Sequence, residues 1–270
     1  MRQYLIADSG GSKTDWCFID FNKKKTFFTT ESYHPSNFND LFLDEQKKKW
    51  ESNKHMFDSE LIFFGAGCLN IEGKNQVEHI LFSIGFKNIK VKSDLFGAGL
   101  ALYGNKIGHI AILGTGSVFF TWNQNEVQNI KGGYGHLIGD EGSGFYFGKL
   151  VFDAFVEGSL SSEQLKVFES VVDVSSIKGM IEKKKHKFIL GEISLKLSKY
   201  SSLFKNFHTK NIDLFCQKYV DSNHVQKISV IGSYGYYNQE IIRSVFIDFN
   251  YRLHKIVRSP IELIVNEIVF

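Results

Sequence analysis

The chain has 270 residues, with 32 Lys and Arg against 29 Asp and Glu, for a net charge of +3. That excess is too small to indicate a nucleic-acid partner, and no apolar run is long enough to span a bilayer. With 43% hydrophobic and 23% charged residues and only two prolines, the composition is that of a globular protein without Pro-rich linkers. Cys17, Cys68 and Cys216 form an odd count without CxxC or Cys/His metal spacing, which fits a reducing compartment. The start, MRQYLIADSGG, has no apolar signal core, so the expected location is cytoplasmic.

Short apolar runs dominate the first third. Gln3–Asp8, Asp15–Asp20 and Lys25–Thr30 read as strands joined by short turns, which suggests an antiparallel meander. DLFLDEQKKKWES, from Asp40, reads as a helix, and ELIFFG as a strand. NQVEHILFSIGF has helical spacing, NIKVKS is a further strand, and DLFGAGLALYG is a helix of small residues. The scheme then restarts, because GHIAILGTGSVFFTW again reads as strand, glycine turn, strand. The expected division is therefore 1–106 and 107–270. The remainder reads as helices over Phe145–Glu157, Ser162–Val172, Ile193–Tyr200 and Asn211–Tyr219, a strand at Lys227–Gly232 and a helix from about Asn238. The basic clusters Lys47–Lys49 and Glu182–Lys187 read as solvated faces.

The segment YLIADSGGSKTDWCFID invites the label of a Walker A loop, which it does not satisfy. A Walker A loop needs an unbroken Gly-Lys-Ser/Thr core and must open a helix. Here Ser12 separates Gly11 from Lys13, and TDWCFID alternates as a strand does. What remains is a hairpin whose tip glycines, Gly10 and Gly11, let backbone N–H groups approach an anion. Ser12 and Thr14 add hydroxyls, and Asp8 is placed to hold a divalent cation, through water in the manner Mg²⁺ prefers.

ILGTGSVFF repeats the pattern, with Gly114, Thr115, Gly116 and Ser117 at its turn. Two such hairpins suit the phosphates of one nucleotide. KGGYGHLIGDEGSGFYFGK carries six glycines before Phe147 together with Asp140 and Glu141, the profile of a ligand loop. His136 within it reads as a structural hydrogen-bonding residue. Asp94 stands where a strand gives way to a helix. It suits a helix cap, and it also suits the carboxylate base that phosphoryl transfer to an alcohol requires.

Together these segments resemble the sugar kinase/heat-shock-protein/actin (ASKHA) superfamily, and within it the N-acetylglucosamine kinase branch of the BadF/BadG/BcrA/BcrD ATPase family. The likeness covers essentially the whole chain. DSGGSKTDW is similar to the first phosphate loop, GTGS to the second, VIGSYGYYN to the adenosine loop, and GGYGHLIGDEGSG to the signature GGWGHxxGDEGS. The resemblance implies an α/β fold of two ribonuclease H-like lobes with a nucleotide cleft between them. It implies ATP and Mg²⁺ as cofactors, with Asp8 positioning the metal. It implies nucleotide contacts at Gly10, Gly11, Ser12, Thr14, Gly114, Thr115, Gly116, Ser117, Gly232 and Ser233. Asn37, Gly133, Tyr134, Gly135 and Asp140 would meet the sugar, with Asp94 as base.

Two departures are visible. Tyr134 replaces the usual Trp, and Gly65, Ala66 and Gly67 stand where sugar kinases often carry a substrate-reaching serine. The expected activity is phosphorylation of an amino sugar, N-acetylglucosamine first, with N-acetylmuramic acid and glucosamine open. The expected partner is a small-molecule sugar, without nucleic acid or membrane, and the resemblance allows a homodimer. Two other readings stand beside it. An ATPase that activates an iron–sulfur reductase would need a converging set of thiolates. A non-catalytic sugar or nucleotide sensor would have no need of Asp94.

Overall fold

The computed structural model describes residues 2–135, 137–173, 186–220 and 225–269. His136 and residues 182–185 of the second basic cluster lie outside them. The chain divides into two compact units, Met1–Ile107 with Trp122–Val127 and Ser259–Phe270, and Gly108–Thr121 with Gln128–Arg258. Unlike the continuous stretches 1–106 and 107–270, these units are discontinuous, with a hairpin tip and the C-terminal segment counted with the first.

The first unit is built on five strands: β1 (Tyr4–Ser9), β2 (Lys13–Ile19), β3 (Lys25–Glu31), β4 (Glu60–Gly65) and β5 (Asn88–Ser93). Their order is β3-β2-β1-β4-β5. The meander β1–β2–β3 is antiparallel, whereas β1–β4 and β4–β5 are parallel. Parallel neighbours need crossovers, and these are the helices α1 (Asp40–Trp50) and α2 (Ile71–Ile84). Helix α3 (Asp94–Tyr103) follows β5. Asn70 caps α2 by accepting from Gly73 N–H at 2.8 Å, and Gly85, at φ 132°, ends it.

One face of this sheet packs an aromatic cluster in which Trp16 meets Tyr33, Trp50, Phe63 and Phe86. Its polar atoms are satisfied, since Trp50 Nε1 donates to Tyr33 Oη at 2.8 Å and Tyr33 Oη to Gln46 Oε1 at 2.9 Å. The opposite face buries Ile6, Cys17, Ile19 and Phe64 with Ile261, Ile264 and Val265. Those three belong to a C-terminal helix, Ile261–Val269, that the sequence reading missed.

The second unit repeats the plan with β6 (Ile107–Leu113), β7 (Ser117–Asn123), β8 (Glu126–Gly132), β9 (Lys227–Ile231) and β10 (Arg252–Val257). Their order, β10-β9-β6-β7-β8, is the first sheet's order element for element. Strands β8 and β10 were not expected, because EVQNIKG and RLHKIV are too polar to read as buried strands. Both are sheet edges.

Helices α4 (Gly144–Val156), α5 (Ser162–Val171), α6 (His186–Leu197) and α7 (Lys205–Tyr219) lie between β8 and β9. A short helix α8 (Ser233–Tyr237) and α9 (Gln239–Asp248) precede β10. Helices α6 and α7 begin seven and six residues before the expected Ile193 and Asn211. The second core includes Phe119, Phe147, Phe168, Phe204, Phe215 and Phe246, which accounts for part of the chain's heavy use of Phe. Among the described residues no helix is long and apolar enough to cross a membrane.

Candidate functional site

The registers place Ser9, Gly65 and Ser93 side by side at the C-terminal ends of the parallel strands β1, β4 and β5. In open α/β sheets that end is where ligands bind. Asp8 precedes Ser9 and Asp94 follows Ser93, so the two carboxylates flank the end of β4. Two strand spacings separate their strands, about 10 Å. Both side chains are only partly exposed. Burial raises Asp8 to about 8, helped by the charges of Asp94 and Asp15 and opposed by Lys13. Burial raises Asp94 to about 6, where backbone N–H groups of Leu95 and Asp94 hold it back.

The cap and the candidate base turn out to be different residues. Ser93 is the N-cap of α3, accepting from Phe96 N–H at 3.2 Å. Asp94 occupies the first turn, where Oδ1 accepts from Leu95 N–H at 3.0 Å. The helix N-terminus favours the anion there.

The first glycine hairpin closes with Gly10 N–H donating to Lys13 O at 3.0 Å, which leaves Gly10, Gly11 and Ser12 exposed at the tip. Strand alternation turns Lys13 outward and Thr14 inward. Thr14 Oγ1 lies 2.8 Å from Ser9 Oγ and accepts from Tyr33 N–H at 3.2 Å. The expected phosphate-facing hydroxyl of Thr14 is thus an internal tie, because β2 begins at Lys13 and one residue of pleat reverses its direction.

Asp15 accepts from Lys13 Nζ at 2.7 Å, and from Thr29 and Ser259 hydroxyls at 2.9 Å each. Burial acts upward on Asp15, but these donors outweigh it and hold the carboxyl below its ordinary range.

Asn37 lies exposed in the short turn Pro35–Asn37 and donates from Nδ2 to Ser32 O at 3.2 Å. Ser32 Oγ in turn donates to Gly10 O at 2.6 Å, tying this turn to the hairpin. The Gly65–Gly67 segment lies against both elements. Ala66 N–H donates to Ser9 O at 2.8 Å, and a Cβ at Gly67 would come within 3.0 Å of His34 Nε2. The first unit therefore brings Asp8, the hairpin tip, Asn37, Gly65–Gly67 and Asp94 to one end of its sheet.

In the second unit the turn Gly114–Ser117 holds its own shape, with Gly114 N–H donating to Gly116 O at 3.0 Å. The glycine-rich loop wraps against it. Gly144 N–H donates to Gly114 O at 2.9 Å, Ser117 N–H to Asp140 Oδ1 at 3.3 Å, and Ser117 Oγ to Glu141 O at 2.6 Å. Ser117 is buried, so its hydroxyl serves the loop and not a ligand; this corrects the expected side-chain contact. Asp140 is 3% exposed and left-handed at φ 72°, strained for a non-glycine residue and packed beside Gly116. Gly133 and Gly135 take φ 72° and 78°, and Tyr134 between them is 63% exposed.

Gly232 sits at φ 121°, and a Cβ there would lie 2.4 Å from Leu113 O. Only glycine allows this close approach of the Gly232–Ser233 segment to the Gly114 turn. Ser233 is exposed at the start of α8.

One face of α7, which the sequence reading left as an ordinary helix, holds the glycine-rich loop from behind. Asn211, Phe215, Lys218 and Tyr219 follow helical spacing. Asn211 Oδ1 accepts from Gly142 N–H at 2.7 Å, while Nδ2 donates to Ser143 O at 2.8 Å and Tyr234 Oη at 2.9 Å. Lys218 Nζ pairs with Glu141, and Tyr219 Oη donates to Glu141 Oε2 at 2.5 Å. Burial raises Glu141, but Lys218 and Tyr219 outweigh it and hold it below the ordinary range. The one available signal was polar Asn211 in an otherwise apolar stripe with Ile212 and Phe215.

No family model matches the chain. Over 162 residues it is 31% identical to the N-acetylmuramic acid/N-acetylglucosamine kinase of Clostridium acetobutylicum, covering 55% of this chain. The match spans 51% of that relative, so the chain aligns with about half of its length. A candidate N-acetylglucosamine kinase from Porphyromonas gingivalis superposes with TM-score 0.82 at 24% identity, covering 98% of both chains. The ROK glucokinase of Streptomyces griseus, solved with glucose and AMPPNP, gives TM-score 0.53 at 14% identity over 98% of this chain and 97% of its own. These likenesses establish the fold, that of the sugar kinases and actin-like ATPases.

Proposed function

We propose that the chain is an ATP-dependent kinase of an amino sugar, with N-acetylglucosamine the first expected substrate and N-acetylmuramic acid the second. The observation that carries this reading is Asp94. It is a partly exposed carboxylate raised to about 6 at the C-terminal ends of the parallel strands β1, β4 and β5, beside a second raised carboxylate and an open glycine hairpin. A base that titrates near neutrality is matched to accepting a proton from a hydroxyl. The similarity to the Clostridium acetobutylicum kinase supports the amino-sugar class.

In this reading Asp94 accepts the proton of the sugar hydroxyl as its oxygen attacks the γ-phosphoryl group and the bond to ADP breaks. Asn37 would hold and orient the sugar, as would Gly133, Tyr134 and Gly135, while Asp140, expected to meet the sugar but 3% exposed and accepting from Ser117 N–H, would anchor their loop. The N–H groups of Gly10, Gly11 and Ser12 would meet phosphate oxygens, as would those of Gly114, Thr115 and Gly116. Gly232 and Ser233 would meet the adenosine.

Among the described residues no three acidic, Cys or His side chains form a metal cage. Mg²⁺ does not need one, since it keeps several waters and takes one or two carboxylates plus phosphate oxygens. Asp8 fits that role, because its carboxyl stands at the C-terminal end of β1 beside the glycine hairpin, where a bound cation would offset the burial that now disfavours its charge. Bound there, Mg²⁺ would neutralise charge on the phosphates.

The iron–sulfur activator reading loses ground on the thiols. Cys17, Cys68 and Cys216 are buried, and burial raises the first two to about 11 and 12 and the third further. Cluster ligation needs thiolates.

The test is coupled ADP release with ATP and Mg²⁺ against a panel of hexoses and N-acetylated amino sugars. Release that depends on an amino sugar is expected. Release independent of every sugar would replace this reading with an ATPase.

A further inference from the structure

The glycine-rich loop and the Gly232–Tyr234 segment are far apart in sequence, yet one buried side chain holds both. Asn211 is fully buried on α7. Its amide grips Gly142 N–H and Ser143 O on one side and Tyr234 Oη on the other. Tyr234 is the second residue of α8, two positions after Gly232. Its Oη is also 2.9 Å from His208 Nδ1, one turn before Asn211 on the same helix. Ser143 caps α4 by accepting from Tyr146 N–H at 3.1 Å, and the next residue, Gly144, donates to Gly114 O at 2.9 Å. A continuous set of hydrogen bonds therefore runs from Tyr234 through Asn211 and Ser143–Gly144 to the Gly114–Ser117 turn.

The set has little slack. A Cβ at Gly142, at φ 90°, would strike the ring of Phe215 at 2.7 Å, and one at Gly232 would strike Leu113 O. His208 is 2% exposed and stacks on Phe147 at 3.8 Å, so Tyr234 cannot shift without disturbing that stack. Buried polar groups in such a set are costly to leave unpaired, which favours a single arrangement.

We propose that Asn211, with Tyr234, is a positioning residue. It fixes the adenosine-side segment Gly232–Tyr234 and the phosphate-side turn Gly114–Ser117 in register, so that one nucleotide meets both preformed. This rests on reading those two segments as nucleotide contacts. Neither Asn211 nor Tyr234 touches a reacting atom in this scheme. Their effect is to remove the cost of ordering the two segments when the nucleotide binds.

Calorimetric titration of the full chain with Mg·ADP tests this, alongside sugar-dependent ADP release. Asn211→Leu is expected to weaken ADP about tenfold or more, and Tyr234→Phe about threefold, the scale of one or two lost buried hydrogen bonds. Because both act through one set, Tyr234→Phe should add nothing in the Asn211→Leu background. Asn211→Asp keeps the acceptor for Gly142 but sets a carboxylate oxygen against Ser143 O, and should weaken ADP at least as much as Asn211→Leu. Ile242→Val, a core change in the same unit that removes no hydrogen bond of this set, should leave ADP affinity unchanged while lowering stability.

Unchanged affinity in folded Asn211→Leu, or full additivity of the two substitutions, overturns the proposal. If Asn211→Leu does not fold, Asn211→Asp and Tyr234→Phe decide it, and wild-type ADP affinity in both overturns it. Wild-type protein that binds ADP but phosphorylates no sugar removes the kinase reading, while the affinity comparison still decides the coupling. Wild-type protein with no affinity for ADP overturns both.

Discussion

The two sheets share a strand order, but the carboxylates near their glycine turns are treated in opposite ways. At the first, Asp8 and Asp94 are partly open to solvent and raised to about 8 and about 6. At the second, Asp140 and Glu141 are more deeply buried, each 3% exposed, yet Glu141 is held below its ordinary range by Lys218 and Tyr219. Depth alone does not decide the outcome. A buried carboxylate whose donors outweigh its burial is an anchor, whereas one whose burial is not offset is poised to take up a proton. In the proposed function the first end is the place of chemistry and the second a scaffold for the ligand.

The sharpest way to break this comparison is to neutralise a carboxylate at each end. Asp94→Asn keeps shape and removes the base, so sugar-dependent turnover should fall by roughly 10²–10⁴-fold. Mg·ADP affinity, read by titration, should stay within about threefold of wild type. Retained turnover would remove Asp94 from the mechanism. Glu141→Gln should leave turnover within about tenfold, since it alters an anchor and not a reacting group.

The same contrast predicts opposite responses of stability to pH. Asp8 and Asp94 bind protons more tightly folded than unfolded, so the ligand-free protein should lose their contribution as pH rises from about 4 through 6 to about 8. Glu141 is depressed, so its contribution is present above about 4.5 and lost as pH falls further. Melting temperature measured across this range should show Asp8→Asn more stable than wild type at pH 8 and indistinguishable from it near pH 4. Mg²⁺ should raise the wild-type melting temperature at pH 8 and not that of Asp8→Asn. Equal melting curves at pH 8 would mean that burial does not hold the Asp8 carboxyl above its ordinary range.

Much of the first end was legible because its signals are local. Strand alternation, the glycine tip, and a carboxylate at a strand-to-helix junction can each be read within a few residues. What failed was resolution at single positions. Thr14 and Ser117 sit just where a hairpin turn becomes a strand, and pleat alternation decides whether a hydroxyl faces ligand or core. The cap of α3 went to Ser93 for a similar one-residue reason. The second end was less legible because its logic is long-range. Asn211 meets Gly142 across 69 positions, and Lys218 meets Glu141 across 77. Edge strands β8 and β10 hid because an edge tolerates polar side chains. The C-terminal helix gave an apolar pattern but no sign that it would cover the first sheet.

The smallest expected effects concern ion pairs, and they separate anchoring from mere contact. Lys149 and Asp153 form an i,i+4 pair at 2.6 Å with both side chains about 45% exposed. Breaking it with Lys149→Met should cost about 0.3–0.5 kcal/mol, because solvent screens the charges and either partner rehydrates freely. Lys218→Met breaks a pair whose carboxylate is only 4% exposed. It leaves the Glu141 carboxylate with Tyr219 and its own backbone N–H, and should cost about 2 kcal/mol, below the full penalty of a buried pair because Lys218 itself is half exposed. Glu141→Gln removes the buried charge instead of stranding it, and should cost about 1 kcal/mol. Urea unfolding of the three variants gives the order directly. If Lys218→Met costs no more than Lys149→Met, the second end is not held by its buried carboxylate, and its likeness to the first end becomes closer than the burial pattern implies.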